Sequence, residues 1–194
     1  MAFSVTAEML NFVRVPKNLW NTSLTQVPQK CSHKSLVRAY LENIEENVLN
    51  GQGLYLWGDY GRGKSAIAAM ILKAAAAKQK LGLWVRAKNL PEFIINDVLF
   101  DYDQTVMQRA EECSLLVIDE FQIRNNLGFY ETAIEDLIRL RISQNKATVV
   151  TSNVALPELR EKFPPLYSVL QEALYPIKVQ GHDFRAEKKG QVDG

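Results

Sequence analysis

The sequence predicts an α/β fold in which a parallel sheet lies between two layers of helices. Short segments that are apolar throughout, such as 54–57 and 115–118, alternate with segments in which apolar residues recur at helical spacing. Strands without a polar side belong to sheets buried on both faces, and parallel strands need a helical crossover between them. Length is a third observation, because 194 residues suffice for one such domain and not for two of typical size.

Strand and helix signals follow one another along most of the chain. Strands are predicted at 54–57, 83–85, 115–118, 148–150 and 177–179. Helices are predicted at 35–49, 64–80, 90–99, 101–112, 129–142, 157–162 and 166–174. The prolines and isolated aromatics of residues 1–34 predict an irregular arm that wraps on a single domain at 35–185, and residues 186–194 are expected to form a flexible tail.

The composition is that of an ordinary globular protein, with 47% hydrophobic and 23% charged residues. The net charge of +1 provides no global field to attract nucleic acid, although it leaves room for a local basic patch. The N-terminus lacks a secretory signal and no apolar run is long enough to cross a bilayer, so we expect a cytoplasmic protein with no membrane contact. Cys31 and Cys113 are expected to be free thiols.

The segment after the first predicted strand matches G-x-x-x-x-G-K-[ST] and opens a predicted helix. In this context the pattern is typical of a P-loop, in which backbone N–H groups and the positive end of a helix bind phosphates. Lys64 is expected to reach the β- and γ-phosphates of ATP, and Ser65 to bind Mg²⁺. A glycine-rich turn without a ligand is the alternative. ATP binding is assigned to nine residues: Gly58, Asp59, Tyr60, Gly61, Arg62, Gly63, Lys64, Ser65 and Ala66.

Two adjacent carboxylates, Asp119 and Glu120, follow the third predicted strand. Ligands of open parallel sheets collect at the carboxyl ends of the strands, so we expect this pair at the same edge as the P-loop. The pattern is typical of a Walker B motif, in which Asp119 would hold Mg²⁺ and Glu120 would polarise the attacking water. A plain turn after the strand is the alternative.

The fourth predicted strand ends in three polar residues, Thr151, Ser152 and Asn153. In P-loop ATPases with an inserted strand between the P-loop and Walker B strands, a polar side chain at this place touches the γ-phosphate or the attacking water. Asn153 is our first candidate for that role, ahead of Thr151 and Ser152. The alternative is that these residues cap the helix near Pro157.

The order of these motifs resembles the AAA+ ATPases, and within them the bacterial or phage replicative helicase loaders of DnaC type with the related IstB-type transposition ATPases. The resemblance lies in segments 53–58, 116–121, 148–153 and 181–185, and in Arg141 before the fourth strand. It implies a P-loop NTPase of the AAA+ (ASCE) type, a three-layer sandwich whose parallel sheet has five strands in the order 5-1-4-3-2. It also implies that Arg185 is the sensor 2 arginine near the γ-phosphate. Because only nine residues follow Arg185, no C-terminal lid domain is expected.

The sequence departs from the loaders at two places. Loaders carry an arginine finger in a stretch where this chain has Val169, so ATP hydrolysis is expected to be weak in isolation unless Arg160 or a partner protein supplies the arginine. Loaders also carry a separate N-terminal domain that binds the helicase, whereas the first predicted strand begins at residue 54 here. If the chain is complete, helicase contact is expected through the arm, the helix at 35–49 or the surface of the ATPase domain; if it is part of a longer protein, this departure disappears.

The resemblance implies three kinds of partner: a DnaB-type replicative helicase, further copies of the chain in an ATP-dependent homo-oligomer, and single-stranded DNA. Phe93 and Tyr102 are candidates for stacking on bases. Basic candidates for DNA contact are Arg86, Lys88, Arg124, Arg139, Arg141 and Lys146. Solvated or core-packed side chains are the alternative interpretation of these residues.

Our leading hypothesis is an AAA+ ATPase that assists DNA replication by loading or remodelling a ring helicase. Its catalytic residues would be Lys64, Glu120, Asn153 and Arg185, with ATP and Mg²⁺ as cofactors. The alternatives are an IstB-type transposition ATPase and a nucleotide-sensing binding module with little turnover. A small-molecule kinase would share the first motif, but the paired carboxylates and the polar end of the fourth strand argue against it.

Overall fold

The computed structural model of the protein describes residues 5–27, 31–96, 98–100, 104–123 and 128–181. Within these residues the strands are β1 (Gly53–Trp57), β2 (Gly82–Arg86), β3 (Leu115–Phe121), β4 (Ala147–Ser152) and β5 (Leu174–Lys178). They form one parallel sheet in the order β2-β3-β4-β1-β5. This is the predicted order 5-1-4-3-2 counted from the other edge, so the predicted fold class is confirmed.

Helices connect the strands as the parallel topology requires. In the described ranges they are α1 (Ala7–Phe12), α2 (His33–Glu42), α3 (Ile44–Leu49), α4 (Lys64–Ala77), α5 (Leu90–Asn96), α6 (Val106–Glu112), α7 (Gly128–Ser143), α8 (Leu156–Lys162) and α9 (Pro164–Ala173). Among the residues that the structure describes, no helix has the length and apolar composition that crossing a bilayer requires.

Two hydrophobic cores lie on the two faces of the sheet. Alternate residues of each strand enter different cores: Leu54 and Leu56 enter one, and Tyr55 enters the other. The first core is closed by the alanine-rich α4 together with α2, α3 and the N-terminal residues, and the second by α5 to α9. Burial on both faces explains why the strands are apolar throughout.

The segment predicted as one helix at 35–49 is two helices, α2 and α3, that meet at Asn43. The Asn43 side-chain amide donates a hydrogen bond to the Ala39 carbonyl (2.9 Å), and the Asn47 amide donates to the Tyr40 carbonyl (3.0 Å). Asparagine side chains that bond to nearby backbone compete with the helical ladder. Because the apolar spacing continues through the break, periodicity alone predicted an uninterrupted helix.

The N-terminal arm is more regular than its composition predicts. It contains α1, which Thr6 caps by accepting a hydrogen bond from the Met9 N–H (3.2 Å). The carbonyl of Val13 then accepts from the backbone N–H of Trp84 on β2 (2.9 Å). The arm therefore contacts the outer edge of the sheet at this point and satisfies one backbone donor of the edge strand.

The fifth strand begins earlier than the predicted 177–179. Leu174, which we assigned to the end of a helix, has extended backbone angles and opens β5 after α9. Pro176 lies in the strand and has no N–H to donate, which is compatible with the edge position of β5. The predicted order 5-1-4-3-2 also has strand 5 at an edge of the sheet.

Candidate nucleotide-binding site

The carboxyl ends of β1, β3 and β4 meet at one edge of the sheet, beside a cavity of about 880 Å³. Residues from all three predicted motifs line this cavity, among them Lys64, Asp119 and Asn153. A second group of lining residues comes from the arm, including Leu19 and Thr22. The three motifs therefore meet at one edge of the sheet, as the sequence predicted, and the arm forms an additional wall of the cavity.

The loop between β1 and α4 needs glycine at two positions for different reasons. A Cβ atom on Gly58 would lie 2.4 Å from the carbonyl oxygen of Val179, and its φ is +143°. Gly63 adopts a left-handed φ of +91° as the residue that caps the N-terminus of α4. Side chains at these positions would either collide or strain the backbone. The N-terminus of α4 thus lies at the cavity, directly after the loop.

The ammonium group of Lys64 folds back over the loop. It donates to the carbonyls of Gly58 (2.7 Å) and Asp59 (2.7 Å) and to the side-chain oxygen of Asn153 (2.6 Å). Lys64 and Asn153 come from elements 89 residues apart in sequence, yet their side chains are in direct contact. The predicted P-loop lysine and the polar residue after β4 therefore lie next to each other in the cavity.

Asp119 is buried at the centre of a hydroxyl network. Its Oδ1 accepts from Ser65 (2.8 Å) and from Thr151 (2.6 Å). Burial raises the pKa of Asp119, and the two hydroxyl donors oppose that rise because they stabilise the carboxylate. Carboxylate and hydroxyl oxygens are hard ligands, so Ser65 and Asp119 fit the donor set that Mg²⁺ prefers.

Glu120 is aimed by an irregularity in β3. Ile118 pairs with Val150 and Phe121 with Ser152, so β3 contains one more residue than β4 between these pairs. Glu120 lies within this bulge with a left-handed φ of +60°, and its N–H donates to the Thr151 hydroxyl (3.0 Å). Bulges redirect side chains next to functional sites, and a non-glycine residue with such a φ is uncommon. The exposed Glu120 side chain lines the cavity beside the buried Asp119.

The three polar residues at the carboxyl end of β4 have different surroundings: Thr151 and Ser152 close the strand and Asn153 follows it. Asn153 contacts Lys64, whereas the hydroxyl of Thr151 serves Asp119 and that of Ser152 donates to the Phe121 carbonyl (2.9 Å). The alternative role as a helix cap does not apply to Asn153, because α8 is preceded by Ala155 and has no side-chain cap. Of the three residues, Asn153 is therefore the one placed next to the P-loop lysine.

The remaining residues assigned to ATP binding have varied positions. Asp59 and Tyr60 are exposed, and the Tyr60 hydroxyl lies 3.5 Å from the Gln122 amide. Arg62 lies 3.8 Å from the Asp59 carboxylate and donates to the carbonyl of Gly181 (2.5 Å). Gly61 and Ala66 line the cavity. Arg185, the predicted sensor 2 arginine, lies outside the described residues.

Residues of the arm and of α2 form the wall that sequence analysis missed. Asn18, Leu19 and Thr22 line the cavity, as does Met70 of α4. His33 also lines it, is buried, and accepts a hydrogen bond at Nδ1 from the Gln180 N–H (3.3 Å). Burial lowers the pKa of His33, which favours the neutral ring that this acceptor role requires. Only the asparagine- and threonine-rich composition of the arm hinted at a polar wall.

Val169 lies in the stretch that we compared with the arginine finger of the loaders. Val169 is buried in α9 within the second core. A long cation at this position would therefore have to leave the core to reach a neighbouring molecule. Arg160, the local substitute that we considered, is exposed on α8.

The basic residues considered for DNA contact do not form one exposed set. Arg141 is wrong as a candidate, because its side chain is completely buried and bonded to backbone carbonyls. Lys146 is half-buried and donates to the Glu111 carbonyl (3.1 Å). Arg86, Lys88 and Arg139 are exposed, and Phe93 packs against the second core. Arg124 and Tyr102 lie outside the described residues.

Solved structures share this architecture. The crystal structure of the DnaC helicase loader superposes with a TM-score of 0.71 at 21% identity, over 85% of this chain and 100% of that one. The structure of AMPPCP-bound DnaA from Aquifex aeolicus superposes with a TM-score of 0.68 at 12% identity, over 89% of this chain and 56% of that one. With the sheet order and the glycine loop before α4, these likenesses define a P-loop fold of the AAA+ class.

The particular family is given by a model that matches residues 5–193, and the chain belongs to the AFG1-like ATPase family. The replicative helicase loader DnaI of Bacillus subtilis (strain 168) is 24% identical in an alignment of 163 residues that covers 80% of this chain. The chain spans 51% of the length of that relative. The AAA+ prediction is confirmed, and membership of the DnaC or IstB subgroup stays a prediction.

Proposed function

We propose that the protein binds ATP in this cavity and hydrolyses its γ-phosphate. The observation that carries the proposal is the position of Lys64, whose ammonium group lies between the P-loop carbonyls and the side chain of Asn153. A lysine held at the mouth of a glycine loop and a helix N-terminus is suited to a triphosphate. Membership of a family of ATPases supports this choice of ligand.

Each polar residue of the cavity then has a role in the reaction. Ser65 and Asp119 would hold Mg²⁺, which neutralises charge on the β- and γ-phosphates when it is bound. Glu120 would accept a proton from the attacking water, and its exposed carboxylate beside Asp119 is accessible to that water. Lys64 and Asn153 would donate to the oxygens of the transferred phosphoryl group as negative charge redistributes there.

Replacing Lys64 by methionine is expected to weaken ATP binding by about 10- to 100-fold, because a charge-assisted hydrogen bond to phosphate is lost. The measurement is the Kd for a fluorescent ATP analogue. Lys78→Met is the matched control, since Lys78 follows the same helix and makes an exposed ion pair with Glu45 at 3.7 Å. Equal affinities for the two variants would place the phosphates elsewhere.

Arg86 also lines the cavity. It ends β2 as the register partner of Asp119, and its charge opposes the rise that burial causes in the pKa of that carboxyl. Val169 leaves the position of the arginine finger apolar. Arg86 would supply positive charge at the cavity from within the same chain. Arg86 ends an apolar strand but is itself exposed, because it lies at the carboxyl edge of the sheet.

Replacing Arg86 by alanine is therefore expected to lower kcat for ATP hydrolysis by about 10- to 100-fold with little change in ATP affinity. Lys88→Ala is the control, because Lys88 is exposed and basic but does not line the cavity. Unchanged turnover in Arg86→Ala would mean that the charge comes from another residue or from a partner protein.

The wider role that we propose is that of a replicative helicase loader, working with a DnaB-type helicase and single-stranded DNA. The similarity to the helicase loader DnaI supports it. A nucleotide-sensing module with little turnover is the second candidate, and the buried Val169 favours it because no finger arginine is available there.

Steady-state ATP hydrolysis separates these two roles when it is measured with and without single-stranded DNA and a DnaB-type helicase. Stimulation by the helicase or by DNA is the result expected of a loader. A rate that stays near background under all conditions, together with tight ATP binding, would favour the sensing module. Absence of any binding to the helicase would contradict the loader proposal directly.

A further inference from the structure

Lys73 makes an unusual set of contacts for a lysine on a helix. Its ammonium group donates to the carbonyl of Trp20 (2.8 Å), the carbonyl of Thr22 (2.5 Å) and the hydroxyl of Thr22 (3.2 Å). Three acceptors match the three protons of an ammonium group. Burial lowers the pKa of Lys73, and the acceptors are all neutral oxygens, so the charge is partly removed from water to make these bonds.

The segment that Lys73 holds is part of the cavity wall. Asn18, Leu19, Asn21 and Thr22 line the cavity, and Trp20 lies among them. Among the described residues, the other hydrogen bonds of this segment stay within the arm, as in the bond from the Trp20 indole to the Val15 carbonyl (2.8 Å). Lys73 is therefore the polar link from segment 18–22 to the body of the domain.

Helix α4 connects the loop proposed to bind phosphates to the arm. α4 begins at the P-loop with Lys64, and Lys73 lies about two and a half turns further along it. Met70 and Ile67 of α4 line the cavity between these two lysines. One rigid helix thus fixes the distance between the loop proposed to bind phosphates and the arm that faces it.

We propose that Lys73 is a positioning residue: it clamps the arm against α4 and so fixes the wall that receives the base and ribose of the nucleotide. The inference rests on the proposed nucleotide site. It adds that the arm contributes binding energy for the nucleoside half of the ligand and that Lys73 controls this contribution. A nucleoside triphosphate fits because the P-loop end of the cavity is cationic and the arm end mixes amides with apolar side chains.

The test compares a full nucleotide with a ligand that has no base. In Lys73→Met the Kd for ATP is expected to rise by about 10- to 100-fold, the effect of losing hydrogen bonds from a charged group. The Kd for inorganic triphosphate is expected to stay unchanged, because this probe contacts only the P-loop end. Lys73→Arg is expected to restore part of the affinity for ATP.

Lys78→Met is the control, on the exposed C-terminal end of the same helix, and it should bind both ligands as the unmodified protein does. Hydrogen–deuterium exchange should show faster exchange in residues 16–27 of Lys73→Met and no change in α4. If Lys73→Met proves too unstable to purify, Lys73→Gln keeps a hydrogen-bond donor and is measured in the same way.

Three results would overturn the proposal. They are an unchanged Kd for ATP in Lys73→Met, an equal loss of affinity for ATP and triphosphate in that variant, and unchanged exchange in its arm. Failure of the unmodified protein to bind either ligand would instead contradict the proposed nucleotide site, so the two ideas fail in different ways.

Discussion

Glu120→Gln is expected to lower kcat for ATP hydrolysis by about 10²- to 10⁴-fold, the range over which a positioned general base accelerates a reaction. Glutamine has the same shape as glutamate and can occupy the same bulge, but its amide does not accept a proton from water. Asp119, Lys64 and Asn153 remain in place, so the affinity for ATP should change little. Single-turnover hydrolysis and equilibrium binding, measured on the same preparation, separate the two quantities.

Glu92→Gln is a suitable control, because Glu92 is an exposed glutamate on α5 outside the cavity. It should leave both turnover and binding unchanged. Hydrolysis by Glu120→Gln at the rate of the unmodified protein would show that another group activates the water. Loss of binding together with turnover would indicate that the substitution disturbed the bulge rather than the proton transfer.

Arg141→Met is expected to lower the free energy of unfolding by about 3–5 kcal/mol, since buried acceptors that lose their donor cost about 1–3 kcal/mol each and the structure relaxes in part. The guanidinium of Arg141 donates to the carbonyls of Ala110 (2.6 Å), Cys113 (2.9 Å) and Ala147 (2.5 Å), and to the Thr148 hydroxyl (2.9 Å). It joins the end of α6 to the start of β4. Methionine fills a similar volume without any donor.

The same helix provides a matched control. Arg139 lies two residues earlier on α7, its side chain is 52% exposed, and it pairs with Glu135 at 2.8 Å. Exposed ion pairs contribute about 0–1 kcal/mol, so Arg139→Met should cost little. Urea unfolding of both variants measures the difference. Similar midpoints for Arg139→Met and Arg141→Met would show that the buried network is not a major source of stability, because desolvation of the guanidinium offsets its hydrogen bonds.

The motifs proved easy to place from the sequence because each one directly follows an apolar strand. Parallel strands bring their carboxyl ends to one edge, so Lys64, Asp119 and Asn153 had to converge once the sheet was parallel. The roles of these residues stay predictions. What the sequence did not reveal was the bulge that aims Glu120, because an extra residue in one strand is defined only against its neighbour.

Long-range contacts explain the other failures. Arg141 looks like a surface cation on a helix, and its partners are backbone carbonyls of α6, of Cys113 between α6 and β3, and of β4, which leave no mark in the residue pattern. The break at Asn43 depends on side-chain bonds that periodicity does not register. The arm was assigned no part in the cavity, because the contact between Lys73 and Thr22 joins residues 51 apart in sequence.

The bond between Arg62 and the carbonyl of Gly181 ties two distant parts of the chain together at the cavity. Gly181 follows β5, and Arg62 belongs to the loop that faces the phosphates in our proposal. The segment after β5 is thus held by a side chain of that loop. A dye on the exposed Gln180, substituted by cysteine, would report on the loop, because a rearrangement of Arg62 breaks its bond to the neighbouring residue Gly181.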